Sequence, residues 1–94
     1  MPQKTVVIAS SSGLHARPAK LFVQAAARQP VPVRISVPGR KPAPANSMLA
    51  VLALGAGHGT EVTLEAEGPG AEEALTVLAD LLSRDLDAEE PADA

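Results

Sequence analysis

Residues 61–82 read EVTLEAEGPGAEEALTVLADLL, and the two halves of that stretch obey different periods. Val62, Leu64 and Ala66 alternate with Glu61, Thr63, Glu65 and Glu67, the period of a strand with one wet face. Gly68-Pro69-Gly70 is a turn. Ala71, Ala74, Leu75, Leu78, Leu81 and Leu82 then follow i, i+3, i+4, i+7 spacing, which makes a helix with one apolar stripe. Glu72 and Glu73 in its first turn and Arg84 near its end suit the helix dipole. A strand with one face to bury, followed by a helix with one stripe to bury, points to a sheet layer covered by a helix layer.

The upstream chain repeats the pattern. Val31, Val33, Ile35 and Val37 alternate with Pro32, Arg34 and Ser36, a second half-buried strand. Val37-Pro38-Gly39-Arg40 has proline and glycine where a type II turn needs them. Lys41 to Ala45 reads as the return strand. Pro42 and Pro44 each remove a ladder donor there, which restricts the segment to a short edge strand or an extended stretch. Asn46 and Ser47 are capping residues, Met48 to Leu54 is a two-turn apolar helix, and Gly55 stands at its stop. Ala56 to Gly59 is loop. At the front, Lys4 to Ala9 is a strand and Ser10 to Gly13 a polar turn. The spacing predicts a helix from Ala16 to about Arg28. Leu21, Phe22, Ala25 and Ala26, with Ala19 or Pro18 before them, lie on one face, and Pro30 is the stop. The order β-α-β-β-α-β-α predicts an α+β fold, a two-layer open-faced sandwich with helices on one side of an antiparallel sheet. Residues 1–84 form one domain, and residues 85–94 are expected to be an acidic, disordered tail.

Composition narrows the function. Ninety-four residues leave room for one core, and the 46% hydrophobic content that fills it is almost all aliphatic and alanine. Phe22 is the sole aromatic residue, which excludes stacked-base recognition of single strands. There is no cysteine, hence no disulfide and no sulfur-ligated metal. No apolar run is long enough to span a membrane and no leader pattern opens the chain, so a cytoplasmic protein without membrane insertion is expected. The net charge of −3 conceals an asymmetry. All eleven acids lie at or after Glu61, five of them from Asp85 onward, while seven bases precede Glu61. A basic first half favours an acidic protein partner or a phosphate. Nucleic acid is the weaker reading, because the cations are dispersed rather than clustered.

The chemistry concentrates in Gly13-Leu14-His15-Ala16-Arg17-Pro18-Ala19. Pro18 fits the first turn of a helix, where a missing N–H costs nothing. A helix start presents unpaired N–H groups and the positive end of a dipole, which attract an anion. His15 brings a nucleophile to that mouth and Arg17 a permanent cation. The arrangement suits a phosphoryl group carried on an imidazole, held by Arg17 and the first helical turn from Ala16 through Pro18. Ser12 either caps the helix, orients the ring, or is an ordinary turn serine. His58 is remote in sequence, no acid lies near either histidine, and a metal site is not expected. His58 itself reads as a plain loop residue. Within the second helix, Val51 and Leu54 can point inward together, which leaves Met48, Leu49 and Leu52 partly exposed.

The same run resembles the active-site signature of the HPr family, the histidine-containing phosphocarriers of the bacterial sugar phosphotransferase system. The resemblance extends from about Lys4 to about Leu82. It takes in Asn46-Ser47-Met48-Leu49 and a Gly-x-Gly-x-Gly loop at Gly55 to Gly59. It implies four antiparallel strands with three helices on one face. It implies Nδ1 of His15 as the phosphorylated atom, with Ser12, Ala16, Arg17 and Pro18 around the phosphate. Phosphoenolpyruvate-charged enzyme I is the implied donor and enzyme IIA components are the acceptors during sugar uptake. The chain would then be a monomeric carrier acted on by phosphotransferases, without a cofactor, rather than an enzyme. Ser47 matches a regulatory serine that a dedicated HPr serine kinase phosphorylates in many members. Met48, Leu49 and Leu52 would be the partner-docking patch, with Arg17, Lys20 and Arg28 as its charged rim. Three rivals remain at this level: a nitrogen-type or dihydroxyacetone-type paralogue, a regulatory HPr-like protein acting through Ser47, and an interaction module with an incidental anion pocket.

Overall fold

The computed structural model describes residues 2–11 and 13–85 and, at Ala16, the backbone. Its elements run β1 (Gln3–Val7), α1 (Ala16–Ala27), β2 (Val33–Ser36), β3 (Ala43–Pro44), α2 (Met48–Ala53), β4 (Glu61–Ala66) and α3 (Ala71–Leu82). The strands form one antiparallel sheet in the order β1-β4-β2-β3. This is the expected α+β open-faced sandwich of four strands and three helices. The acidic tail beyond Asp85 lies outside the described residues.

β4 is central because its alternation is cleanest. Val62, Leu64 and Ala66 are buried while Glu61, Thr63 and Glu65 face outward. β1 pairs with it from Gln3↔Glu65 to Val7↔Glu61, and β2 from Val33↔Ala66 to Ser36↔Thr63. α3 covers β1, β4 and β2, and α1 packs on both α2 and α3. The core joins Ile8, Val33, Ile35, Val62 and Leu64 of the sheet side to Phe22 of α1, Val51 of α2 and Leu75, Leu78 and Leu82 of α3. Phe22 is wholly buried at the centre of an otherwise aliphatic interior.

Several boundaries differ from the sequence reading. β1 ends at Val7: the Ile8 N–H still reaches the Thr60 carbonyl (2.9 Å), but the Thr60 N–H goes to Gly57 O (3.1 Å) instead of back to Ile8, and the Ala9 N–H goes to Leu82 O (3.1 Å). β2 is confined to Val33–Ser36. Val31 and Val37 lie outside the ladder, half-buried against the core. Leu21 and Ala25 are only half-buried on α1, whose covered face is Pro18, Ala19, Phe22 and Ala26. Leu81 is likewise half-buried on α3. Arg84 stands near the end of α3 as expected, its N–H donating to Leu81 O (3.3 Å) and its guanidinium 3.9 Å from Asp80. The type II turn is as expected, with Gly39 at φ +82° and an Arg40 N–H to Val37 O bond of 3.1 Å. β3 is reduced to two residues, and the inward donor that follows it is Ala45, bonded to Val33 O at 2.9 Å. Among the described residues no helix is long and apolar enough to cross a membrane.

Candidate functional site

The segment from Ile8 to Leu14 delivers the chain from the sheet to α1. A bond from the Gly13 N–H to Ser10 O (2.9 Å) closes its turn, with Gly13 at φ +73°. Leu14 is anchored in the core, 2% exposed, and its N–H donates to Ala56 O at 2.8 Å. A Cβ on Gly13 would come within 2.6 Å of the Gly57 Cα and 2.7 Å of the Ala56 oxygen. The turn and the 55–59 loop therefore pack backbone to backbone, which only glycine at position 13 permits. On the other side, Ser10 Oγ donates to Arg84 O (3.4 Å) and the Ser11 N–H donates to Asp85 Oδ1 (3.2 Å). Asp85, assigned by sequence to the tail, is thus in part a tie for this turn.

His15 emerges from that support as the N-cap of α1, in extended conformation (φ −145°, ψ 158°). Its side chain is exposed and makes no capping hydrogen bond. Its carbonyl starts the helix, accepting from the Ala19 N–H at 3.5 Å. Pro18 is buried in the first turn, where a missing N–H leaves no donor unsatisfied. The N–H groups of Ala16 and Arg17 precede the first intrahelical bond and so belong to the electropositive helix mouth. Arg17 and Lys20 are exposed, and among the described residues neither is in an ion pair. Arg28 is the C-cap of the same twelve-residue helix. That places it roughly 18 Å from the mouth at 1.5 Å per residue, at the opposite end of α1 from His15. Ser12 lies outside the described residues.

Ser47 is the N-cap of α2, its Oγ accepting from the Ala50 N–H at 3.3 Å. The helix splits as its spacing predicts. Val51 and Leu54 are buried, Leu52 is half-buried, and Met48 and Leu49 stand 36% and 81% exposed. α2 packs directly on the helix that carries His15. Two contributions escaped the sequence. The Arg40 guanidinium, 13 residues away, donates to Ala53 O (3.1 Å) and closes the C-terminal end of α2. His58, read as a plain loop residue, places Nδ1 3.2 Å from Ser10 O. Neither has a local signal, because each contact depends on two loops meeting. Among the described residues no group of three His, Cys, Asp or Glu could hold a metal ion.

An exposed imidazole that makes no capping bond at a helix mouth, two residues from a guanidinium that is in no ion pair among the described residues, can attack a phosphoryl donor and hold the resulting charge. A family model described as PTS HPr component phosphorylation site matches residues 2–84. The chain is 46% identical over 87 residues to the phosphocarrier protein HPr of Streptomyces coelicolor, covering 93% of this chain and 94% of that one. It superposes on a crystal structure of HPr-C-His from Thermoanaerobacter tengcongensis with a TM-score of 0.86 and 37% identity, covering 96% of this chain and all of that one. A phosphocarrier protein HPr from Bacillus anthracis gives a TM-score of 0.82 at 41% identity, over 86% of this chain and 95% of that one.

Proposed function

This chain belongs to the HPr family of phosphotransferase-system phosphocarriers, and on that premise we propose that His15 is the atom-level carrier, loaded by enzyme I and unloaded by enzyme IIA components. The observation that carries the reading is the exposed ring of His15, which makes no capping bond, at the N-cap of α1. In the loading step an unprotonated ring nitrogen, Nδ1 by family resemblance, forms a bond to phosphorus as the bond to the donor's leaving group breaks. Unloading reverses this toward the acceptor. The helix-mouth N–H groups and Arg17 offset the charge on the phosphoryl oxygens without taking part in bond making. The protein is accordingly a monomeric cytoplasmic carrier without turnover of its own, its domain spanning residues 1–84. Incubation with labelled phosphoenolpyruvate and enzyme I should place an acid-labile, base-stable phosphate on the peptide containing residues 13–19. An acid-stable phosphate as the sole product would assign the chemistry to a serine instead.

Arg17→Ala should slow both loading and unloading while leaving stability nearly unchanged, since the side chain is exposed. One charge-assisted contact is worth roughly 1.5–3 kcal/mol, which is about a 10- to 150-fold loss of rate. Stopped-flow transfer from enzyme I and to an acceptor reads this directly, and unchanged rates in both would remove Arg17 from the step.

Met48, Leu49 and Leu52, with Lys20 and Arg17 as basic neighbours, form the surface on which acidic partners dock, and Ser47 is its regulatory position. Ser47→Asp should retain a helix-start acceptor favoured by the dipole, so stability should change by less than about 1 kcal/mol. Against an acidic partner the new charge meets repulsion and desolvation beside Leu49. Slower loading of His15 at a near-normal melting temperature is expected. Normal enzyme I kinetics with a large loss of stability would place the docking surface elsewhere. Labelling by an HPr serine kinase, acid-stable and absent from Ser47→Ala, tests the regulatory role.

A further inference from the structure

We infer that His58 is a positioning residue for phosphoryl transfer, holding through Ser10 the turn that aims His15; the inference rests on His15 being the phosphoryl acceptor. The 55–59 loop touches the turn before His15 at three successive residues. Ala56 accepts from the Leu14 N–H at 2.8 Å, Gly57 occupies the space beside Gly13, and His58 Nδ1 reaches Ser10 O at 3.2 Å. The first two fix the end of the turn next to His15, and the third fixes its beginning.

The Ser10 carbonyl is the junction. It accepts the Gly13 N–H at 2.9 Å, the bond that closes the turn, and it faces His58 Nδ1 as well. A carbonyl oxygen has two acceptor sites, so both donors can be served at once. For His58 to donate, Nδ1 must carry the proton. The neutral Nδ1–H tautomer and the doubly protonated ring both satisfy this, so the contact survives protonation of His58. Ser10 is 2% exposed, so when the His58 donor is lost, water has poor access to replace it. The turn would then have one tie fewer at its beginning, with the Gly13 bond and the ties to the end of α3 among those that remain.

Loosening Ser10–Gly13 broadens the range of orientations from which His15 leaves the turn. Misplacement by about 1 Å can cost as much as a hundredfold in a positioned reaction. A partial loosening should lower the rate constant for loading about three- to tenfold. The half-saturating enzyme I concentration should hold, because α2 and Lys20 are untouched. Asparagine provides the discriminating variant, since its Nδ2–H lies close to where the imidazole Nδ1–H does, whereas leucine fills volume without a donor.

The test uses the full chain as wild type, His58→Leu and His58→Asn. Loading is measured at saturating and subsaturating enzyme I, and amide hydrogen exchange is followed at Gly13 and Leu14. The expected result is slower saturated loading and faster exchange in His58→Leu, restored in His58→Asn. Wild-type rates and exchange in His58→Leu would overturn the assignment. So would a defect that follows melting temperature and is not rescued by asparagine. Wild type that takes no phosphate on His15 would instead sink the carrier-site reading, and the exchange arm would still decide whether His58 holds the turn.

Discussion

His15→Ala should take no label from phosphoenolpyruvate and enzyme I, while its thermal unfolding stays close to that of the wild type. The two outcomes come from one geometric fact. The His15 side chain is exposed and contributes no capping bond, and the role that keeps α1 in place belongs to its backbone carbonyl. Alanine preserves that carbonyl. Removing an exposed side chain away from such features typically changes stability by within about 0.5 kcal/mol. The chemical loss follows because alanine removes the ring nitrogen, and a carboxylate such as that of Asp85, which reaches this turn at Ser11, would give a base-labile acyl phosphate rather than the base-stable product. Acid-labile phosphate that persisted in this variant would locate the carrier atom elsewhere. Circular dichroism melts on the same preparation establish that the protein assayed is folded.

Gly13→Ala is expected to be the most destabilising single-methyl change on the functional side of the molecule. A left-handed backbone at φ +73° is strained for alanine, and the new Cβ would sit 2.6 Å from the Gly57 Cα and 2.7 Å from the Ala56 oxygen. Both obstacles are main chain and cannot rotate aside. Strained backbone and overpacking each cost roughly 1–3 kcal/mol, a large share of the roughly 5–15 kcal/mol typical of a small domain. Gly39→Ala isolates the first cost. Gly39 has φ +82° but nothing within 4 Å of the added carbon, so that variant should lose only about 1–2 kcal/mol. Urea midpoints of the two variants should differ clearly. Equal midpoints would mean that the two loops part at little cost, and that His15 is less firmly aimed than the distances imply.

The sandwich was legible because burial in this chain is one-sided. Val62, Leu64 and Ala66 or Leu75, Leu78 and Leu82 can be read as faces without knowing what covers them, since each element carries its own period. The split of α2 was legible for the same reason, and Leu49 stands outside while Val51 is sealed. The helix mouth could be read because Pro18 and the histidine before it are local signals. The supports of the site were not legible. Arg40 reaches Ala53, His58 reaches Ser10, and Asp85 reaches Ser11 across 74 residues, and each pairing exists only once the loops have been brought together. Strand ends failed differently. Val31, Val37 and Ala9 continue an apolar pattern past the point where a partner backbone is available, and pairing, not hydrophobicity, ends a strand.

The prolines of β3 have a consequence for how the protein behaves in a crowded solution. Successive residues of an edge strand direct their backbone groups alternately toward the sheet and away from it. Ala45 turns its N–H inward to Val33, so positions 44 and 42 are those whose donors would face outward, and both are proline. The sheet thus loses no internal bond, yet its rim beside β3 offers no outward donor at either position to an extended chain seeking a strand to copy. Templated growth into fibrils from that side lacks the donors for half of the first row of hydrogen bonds. At the opposite rim β1 keeps its outward donors, and the exposed charge of Lys4 is the guard there. Both edges of the sheet thus carry features that disfavour strand-to-strand pairing with a second chain.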